Sequence, residues 1–153
     1  MLNELLQLVT DAGSLQSRLV LVLGGSLPQR RDLLARAAVH FGAPVLPLGV
    51  EYARRMAAVT RKQRPLQAAS LLRDAVDAKF SPSAPAILDR IEVLFDRSLQ
   101  LDALDALKQL AHSRTVVVSW PGDLRDRRLT YAPANHPEHC DHPVAGFLVY
   151  QLS

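Results

Sequence analysis

"LVLVLGGSLPQRRDLLARAA", Leu19 to Ala38, is the stretch on which the fold turns. Residues 18–24, "RLVLVLG", form a continuous apolar run of strand length, the pattern of a central strand covered on both faces. Gly24 and Gly25 interrupt the run. Residues 31–41, "RDLLARAAVHF", then return to helical spacing through Leu33, Leu34, Ala37 and Ala38. A buried strand feeding a glycine turn and then a helix is the repeating unit of an α/β protein.

The flanks extend the alternation. Leu2, Leu5, Leu6 and Val9 predict a short amphipathic helix over 2–12, ended by "DAGS". Downstream, "PVLPLG" at 44–49 predicts a second strand, and 50–61 and 65–79 predict helices joined at "RKQRP". "SPSAP" at 81–85 is a loop and "AILD" at 86–89 a third strand. A helix is expected over 98–112 with Ser98 as its cap. "TVVVSW" at 115–120 predicts a fourth strand ending at a "PGD" turn. "APANHPEHCDHP" at 132–143 predicts a loop, and "GFLVYQL" at 146–152 a last strand. The expected architecture is a three-layer α/β sandwich on a mostly parallel sheet, one domain over 1–153.

Composition narrows the class. The 153 residues are 48% hydrophobic and 22% charged, ordinary values for a globular chain large enough to bury a core without staples. The one cysteine excludes an internal disulfide and suits a reducing, cytoplasmic compartment. "MLNELLQLVTDAG" lacks the basic-then-apolar order of a secretory leader, and no apolar run reaches the ~20 residues of a membrane helix. The formal charge of +3 is compatible with an acidic partner or with none.

A strand, a glycine turn and a helix also lay out a phosphate-binding loop, G-x-x-x-x-G-K-[ST]. In that alignment Gly24 takes the first glycine, and Gly25, Ser26, Leu27 and Pro28 take the variable places. Gln29 falls on the second glycine, Arg30 on the lysine and Arg31 on the serine or threonine. Pro28 removes an N–H from a loop that works by pointing N–H groups at phosphate oxygens. Arg31 brings no hydroxyl for Mg²⁺, while Arg30 keeps a cation in a larger shape. Further on, Asp89 ends a strand where a Mg²⁺-associated acid would stand, and Glu92 is placed to polarise a water. A strand at 115–120 paired beside the first would bring Ser119 to the same end, where open α/β sheets bind ligands.

The segments "LVLVLGG…RRDLLARAA", "YARRMAAVTRKQRPLQAASLL", "ILDRIEVLFDRSLQLDALDALKQLAHSRTVVVSWPGDL" and "LTYAPANHPEH" resemble the BrxF family over roughly residues 3–150. These are small P-loop proteins of type III BREX phage-defence systems. The resemblance implies a P-loop NTPase-like fold, ATP and Mg²⁺ as cofactors, other BREX proteins as partners, and work on foreign DNA. By position it matches Gly24 to the first glycine, Arg30 to the lysine, Arg31 to the threonine and Asp89 to the Mg²⁺-associated acid. With the loop and strand-end reading above, the expected site is Gly24, Gly25, Ser26, Gln29, Arg30, Arg31 and Ser119 at the phosphates, Asp89 at the metal and Glu92 as the catalytic residue at the water. Gln29, Arg30 and Arg31 depart from the family's loop, which argues against hydrolysis.

Two other groupings carry chemistry. "HPEHCDH", His136 to His142, gathers zinc-type ligands, too closely packed in sequence to surround one tetrahedral ion without a distant group. The basic runs "YARRM" at 52–56, "RKQR" at 61–64 and "RDRR" at 125–128 suit DNA phosphates, and Arg114, Arg125, Arg127 or Arg128 could serve a homo-oligomer as an arginine finger. Three readings follow. The first is a P-loop subunit of a defence complex with weak or no ATP hydrolysis. The second is an ATPase using Arg30 in place of the lysine. The third is a DNA-binding accessory subunit holding phosphate on Arg30 and Arg31.

Overall fold

The computed structural model describes residues 1–133 and 135–152; Ala134, within the expected loop, and Ser153 lie outside the described residues. The chain is α/β. Helix α1 (Leu2–Ala12) leads to strand β1 (Leu19–Gly24) and helix α2 (Leu27–Phe41), then to the short strand β2 (Leu46–Pro47). Helices α3 (Leu48–Ala57) and α4 (Arg64–Lys79) follow, then β3 (Ala86–Asp89). After two 3-10 turns, Glu92–Phe95 and Arg97–Leu99, come α5 (Ala103–Leu110) and β4 (Val116–Ser119). The last elements are β5 (Asp123–Arg125), β6 (Arg128–Tyr131), β7 (Cys140–Pro143) and β8 (Leu148–Leu152).

Five strands form one sheet in the order β2-β3-β4-β1-β8, parallel at every pairing. Because successive strand residues point to opposite faces, β1 feeds two cores. Leu19, Leu21 and Leu23 pack with residues of α3, α4 and α5, whereas Val20 and Val22 pack with Leu5 of α1 and Leu33, Leu34, Ala37 and Ala38 of α2. Helices therefore cover both faces, as the apolar run of β1 requires. The 115–120 expectation holds in substance: β4 lies directly against β1, with Val22 opposite Ser119.

Several boundaries differ, each for a local reason. Helix α2 begins at Leu27 rather than 31, because Ser26 caps it and Pro28, needing no donor, fits its first turn. The 44–49 strand shrinks to two residues, pairing only Leu46 with Leu88 and Pro47 with Asp89, and α3 opens at Leu48 instead of 50. The expected 98–112 helix starts at Ala103. Asp102 caps it by accepting the Asp105 N–H at 3.0 Å, and Ser98 instead gives its amide to Asp96.

The largest difference is a second sheet. The "PGD" turn runs into β5, and the expected 132–143 loop ends in β7, forming an antiparallel sheet β5-β6-β7. Its β5–β6 turn is Asp126-Arg127, both at positive φ (51° and 60°), a two-residue hairpin conformation normally given to Asn-Gly. The inward face, Leu124, Leu129, Tyr131 and Cys140, packs on the α3–α5 core. Trp120, fully buried after β4, pins the sheet there by donating its indole N–H to the Thr130 carbonyl at 3.1 Å. Phe95 meets Trp120 edge-on and stacks on Tyr131 at 4.0 Å. Gly122 lies so close to Thr130 that any Cβ there would collide with its carbonyl. Among the described residues no helix is long and apolar enough to cross a membrane.

Candidate functional site

The β1–α2 turn sits at the C-terminal edge of the parallel sheet, beside the end of β4. Gly24 and Gly25 are both at positive φ, 82° and 58°. A Cβ on Gly24 would lie 2.5 Å from the Leu152 carbonyl oxygen, and one on Gly25 2.6 Å from Gln29 Oε1, so the tightness of the turn demands both glycines. Ser26 then caps α2 reciprocally. Its Oγ accepts the Gln29 N–H at 3.2 Å, and Gln29 Oε1 accepts the Ser26 N–H at 2.7 Å. Gln29, standing where the loop pattern has glycine, is thus a helix-capping residue.

Arg30 folds back over this turn. Its Nη1 donates to the Gly24 carbonyl at 2.8 Å and reaches the Gly25 carbonyl at 3.5 Å, while its Nε donates to Ser119 Oγ at 3.2 Å. The turn thereby presents carbonyl oxygens to a cation, the reverse of a phosphate cradle, which presents N–H groups to an anion. Ser119, buried, is held by the same guanidinium.

Arg31 turns to β3. Its Nε lies 3.4 Å from Asp89 Oδ2, and Asp89 is almost wholly buried. The other carboxylate oxygen accepts the Arg90 N–H at 2.8 Å, with Arg90 at φ 53°. Burial of a carboxylate requires such partners. Gly24, Gly25, Ser26, Gln29, Arg30, Arg31, Ser119 and Asp89 are therefore brought to one end of the sheet in two linked clusters.

Glu92 is not part of them. It is exposed at the start of the first 3-10 turn, and its charge acts instead on the Tyr131 phenol. Burial first, then the Glu138, Glu92 and Cys140 charges, push that phenol above its ordinary range.

The histidine-rich segment does not converge either. His136 Nδ1 accepts the Glu138 N–H, His139 Nδ1 lies 2.9 Å from the Ala132 carbonyl, and His142 Nε2 is 3.8 Å from Asp102. Among the described residues no three metal-ligating side chains come together. Cys140 lies on β7 with its thiol pushed up to about 11, chiefly by burial, then by the Asp102 and Asp141 charges against a bond from Tyr131. A thiol so shifted is a poor nucleophile at neutral pH. Beside it is an open cavity of about 480 Å³ whose lining includes Arg97, Asp102, Glu138 and His142.

The basic runs divide. Tyr52 of "YARRM" is a core residue donating its hydroxyl to the Ala68 carbonyl at 2.7 Å, and Arg54 and Arg55 both hold Glu51. Arg114 is buried, bound to Asp77 at 3.1 Å and to the Ser81 carbonyl, and so cannot reach out as a finger. Arg128 pairs with Asp141 at 2.7 Å, while Arg125 and Arg127 stand exposed at the hairpin tip. Sequence reasoning overlooked Trp120 and Gly122 as docking residues. The signal available was the alternation of Leu124 and Leu129 around a polar turn.

No protein-family model, no curated protein and no solved structure matches this chain.

Proposed function

We propose that this chain is a P-loop-like subunit of a phage-defence assembly of the type III BREX kind, working through its partners without hydrolysing ATP. The observation that carries the reading is Arg30 bonded to the Gly24 and Gly25 carbonyls. A Mg²⁺–nucleotide at this turn would need free N–H donors, a hydroxyl and an available carboxylate. The Ser26 and Gln29 amides are used in the capping box, Pro28 has none, and Asp89 has one oxygen facing Arg31 and the other on the Arg90 N–H. The residues as arranged do not fit Mg²⁺–ATP, and we derive no reaction step through it.

The same engagement bears on the two alternatives. An ATPase using Arg30 would have to pull that guanidinium off two carbonyls and Ser119, and would lack Glu92 at the site. A DNA phosphate at the start of α2 would compete with Asp89 for Arg31. ATP affinity measured with and without Mg²⁺, together with turnover, on wild type and Arg30→Ala tests the reading. We expect no turnover in either protein. Mg²⁺-dependent turnover lost in Arg30→Ala would replace it with the ATPase. For the defence role, deleting the gene from a reconstituted BREX cluster should abolish phage protection, and unchanged protection would sink that part.

A further inference from the structure

The face formed by α3 and the start of α4 has a different character. Residues 48–79 hold seven of the eighteen cations but three of the fifteen acids, and from Ala53 to Arg73 there are six cations and no acid. Arg54 and Arg55 are tied to Glu51, but Arg61, Lys62, Arg64 and Arg73 form no ion pair among the described residues. The first turn of the 16-residue α4 contains no acid and has no side-chain cap, although Arg61, Lys62 and Arg64 crowd it. Cations at a helix N-terminus oppose the helix dipole, so this end is poised for negative charge.

Two observations indicate what brings that charge. Arg64 has its Nε buried without a hydrogen-bond partner, the one such side-chain atom among the described residues. A buried donor left unpaired costs its desolvation. Asp96 feels the Arg64 charge, and its carboxyl is held below the ordinary range by the Ser98 amide, the Ser98 hydroxyl and that charge, against some desolvation. Yet both Ser98 bonds use the same Asp96 oxygen, and neither supplies an acceptor to Arg64 Nε.

The second observation is apolar. Beside Arg64 is a cavity of about 200 Å³ whose wall is mostly apolar, from Ala53, Met56, Ala57, Val93 and Leu99, with Arg64, Asp96 and Ser98 at its polar side; Asp96 is already engaged by Ser98. Val50, Ala53 and Ala57 recur at helical spacing on the outer side of α3, and Val50 is 79% exposed. An ordinary surface helix puts charged residues there.

We propose that this face docks an acidic, amphipathic segment of a protein partner, which seats an apolar side chain in the cavity and offers a carboxylate to Arg64 and the start of α4. Charge complementarity selects an acidic partner. The apolar cavity selects a protein over a nucleic acid, whose backbone has nothing to fill it. The inference locates a surface for the partner-binding role but does not depend on the state of the β1–α2 turn.

The probe is a synthetic 16-residue helical peptide with leucine and glutamate on opposite faces, with its lysine counterpart and a 20-base-pair DNA duplex as comparisons. Binding to the whole chain is followed by anisotropy and by the Arg64 Nε–Hε and Ala53 and Ala57 amide signals. The acidic peptide should bind, shift those signals, and lose at least tenfold affinity in Arg64→Met. It should lose as much in Ala53→Arg, which adds charge but blocks the apolar seat; the lysine peptide should not bind. Affinity unchanged in both variants, or no shift at Arg64, would overturn the proposal. Duplex DNA binding there in place of the peptide, weakening steeply with salt, would overturn it in favour of a nucleic-acid face. Adding ATP to the same sample separates a failure here from a failure of the functional reading, since only the latter predicts a response at Gly24 and Gly25.

Discussion

The β1–α2 turn and the α3–α4 face are opposites. The turn has the layout of a binding site, yet its polar groups are bonded to one another. Gln29 and Ser26 close a capping box, Arg30 takes the Gly24 and Gly25 carbonyls and Ser119, and Arg31 takes Asp89. The α3–α4 face looks in sequence like solvated helices, yet it retains an unpaired buried donor, an excess of cations over acids and a mostly apolar cavity. The difference lies in which polar groups each region leaves unpaired, whether or not their spacing matches a motif.

Substitutions should separate the two regions by their effect on stability. Gly24→Ala should cost most, about 2–3 kcal/mol, because a side chain there combines positive φ with a contact on the Leu152 carbonyl. Denaturant unfolding checks this, and a loss below about 1 kcal/mol would mean that the turn can open away from the Leu152 carbonyl. Arg30→Ala should cost about 1–3 kcal/mol, since it leaves the Gly24 carbonyl and the buried Ser119 hydroxyl without their donor. The double variant with Ser119→Ala should cost less than the sum of the singles, because the two share a bond. An additive result would dissolve the cluster.

Arg64→Met should be smallest, within about 0.5 kcal/mol, because the unpaired buried Nε is relieved while only a screened attraction to Asp96 is lost. A large loss would mean that Arg64 holds the fold, and the contrast between the regions would disappear.

How much of this was legible in the sequence depends on the distance over which each feature is set. The continuous apolar run of β1 and the spacing of α1 and α2 are local, and they point to the parallel sheet and its two covered faces, on which the 115–120 run takes its place as β4 beside β1. The short β2 was not legible, because its length is set by pairing with Leu88 and Asp89. Nor was β7: Cys140 and His142 become strand residues only through register with Tyr131 and Leu129. At the site, position put Arg30, Arg31, Ser119 and Asp89 together correctly. Their bonds could not be read, since a guanidinium folded onto the loop's carbonyls leaves the same letters as one extended toward phosphate. Glu92 stands apart from the site because a 3-10 turn follows β3 and leaves it exposed, where its charge is felt by Tyr131 rather than by the groups at the β1–α2 turn.

The most direct test of the self-satisfied turn is to titrate Mg²⁺–ATP into wild-type protein while following the Arg30 Nε–Hε signal and the Gly24 and Gly25 amides. The account predicts no saturable shift at millimolar nucleotide, with Arg30 still hydrogen-bonded. Saturable, Mg²⁺-dependent movement of all three signals would contradict it, because nucleotide would then displace the arginine that now fills the turn.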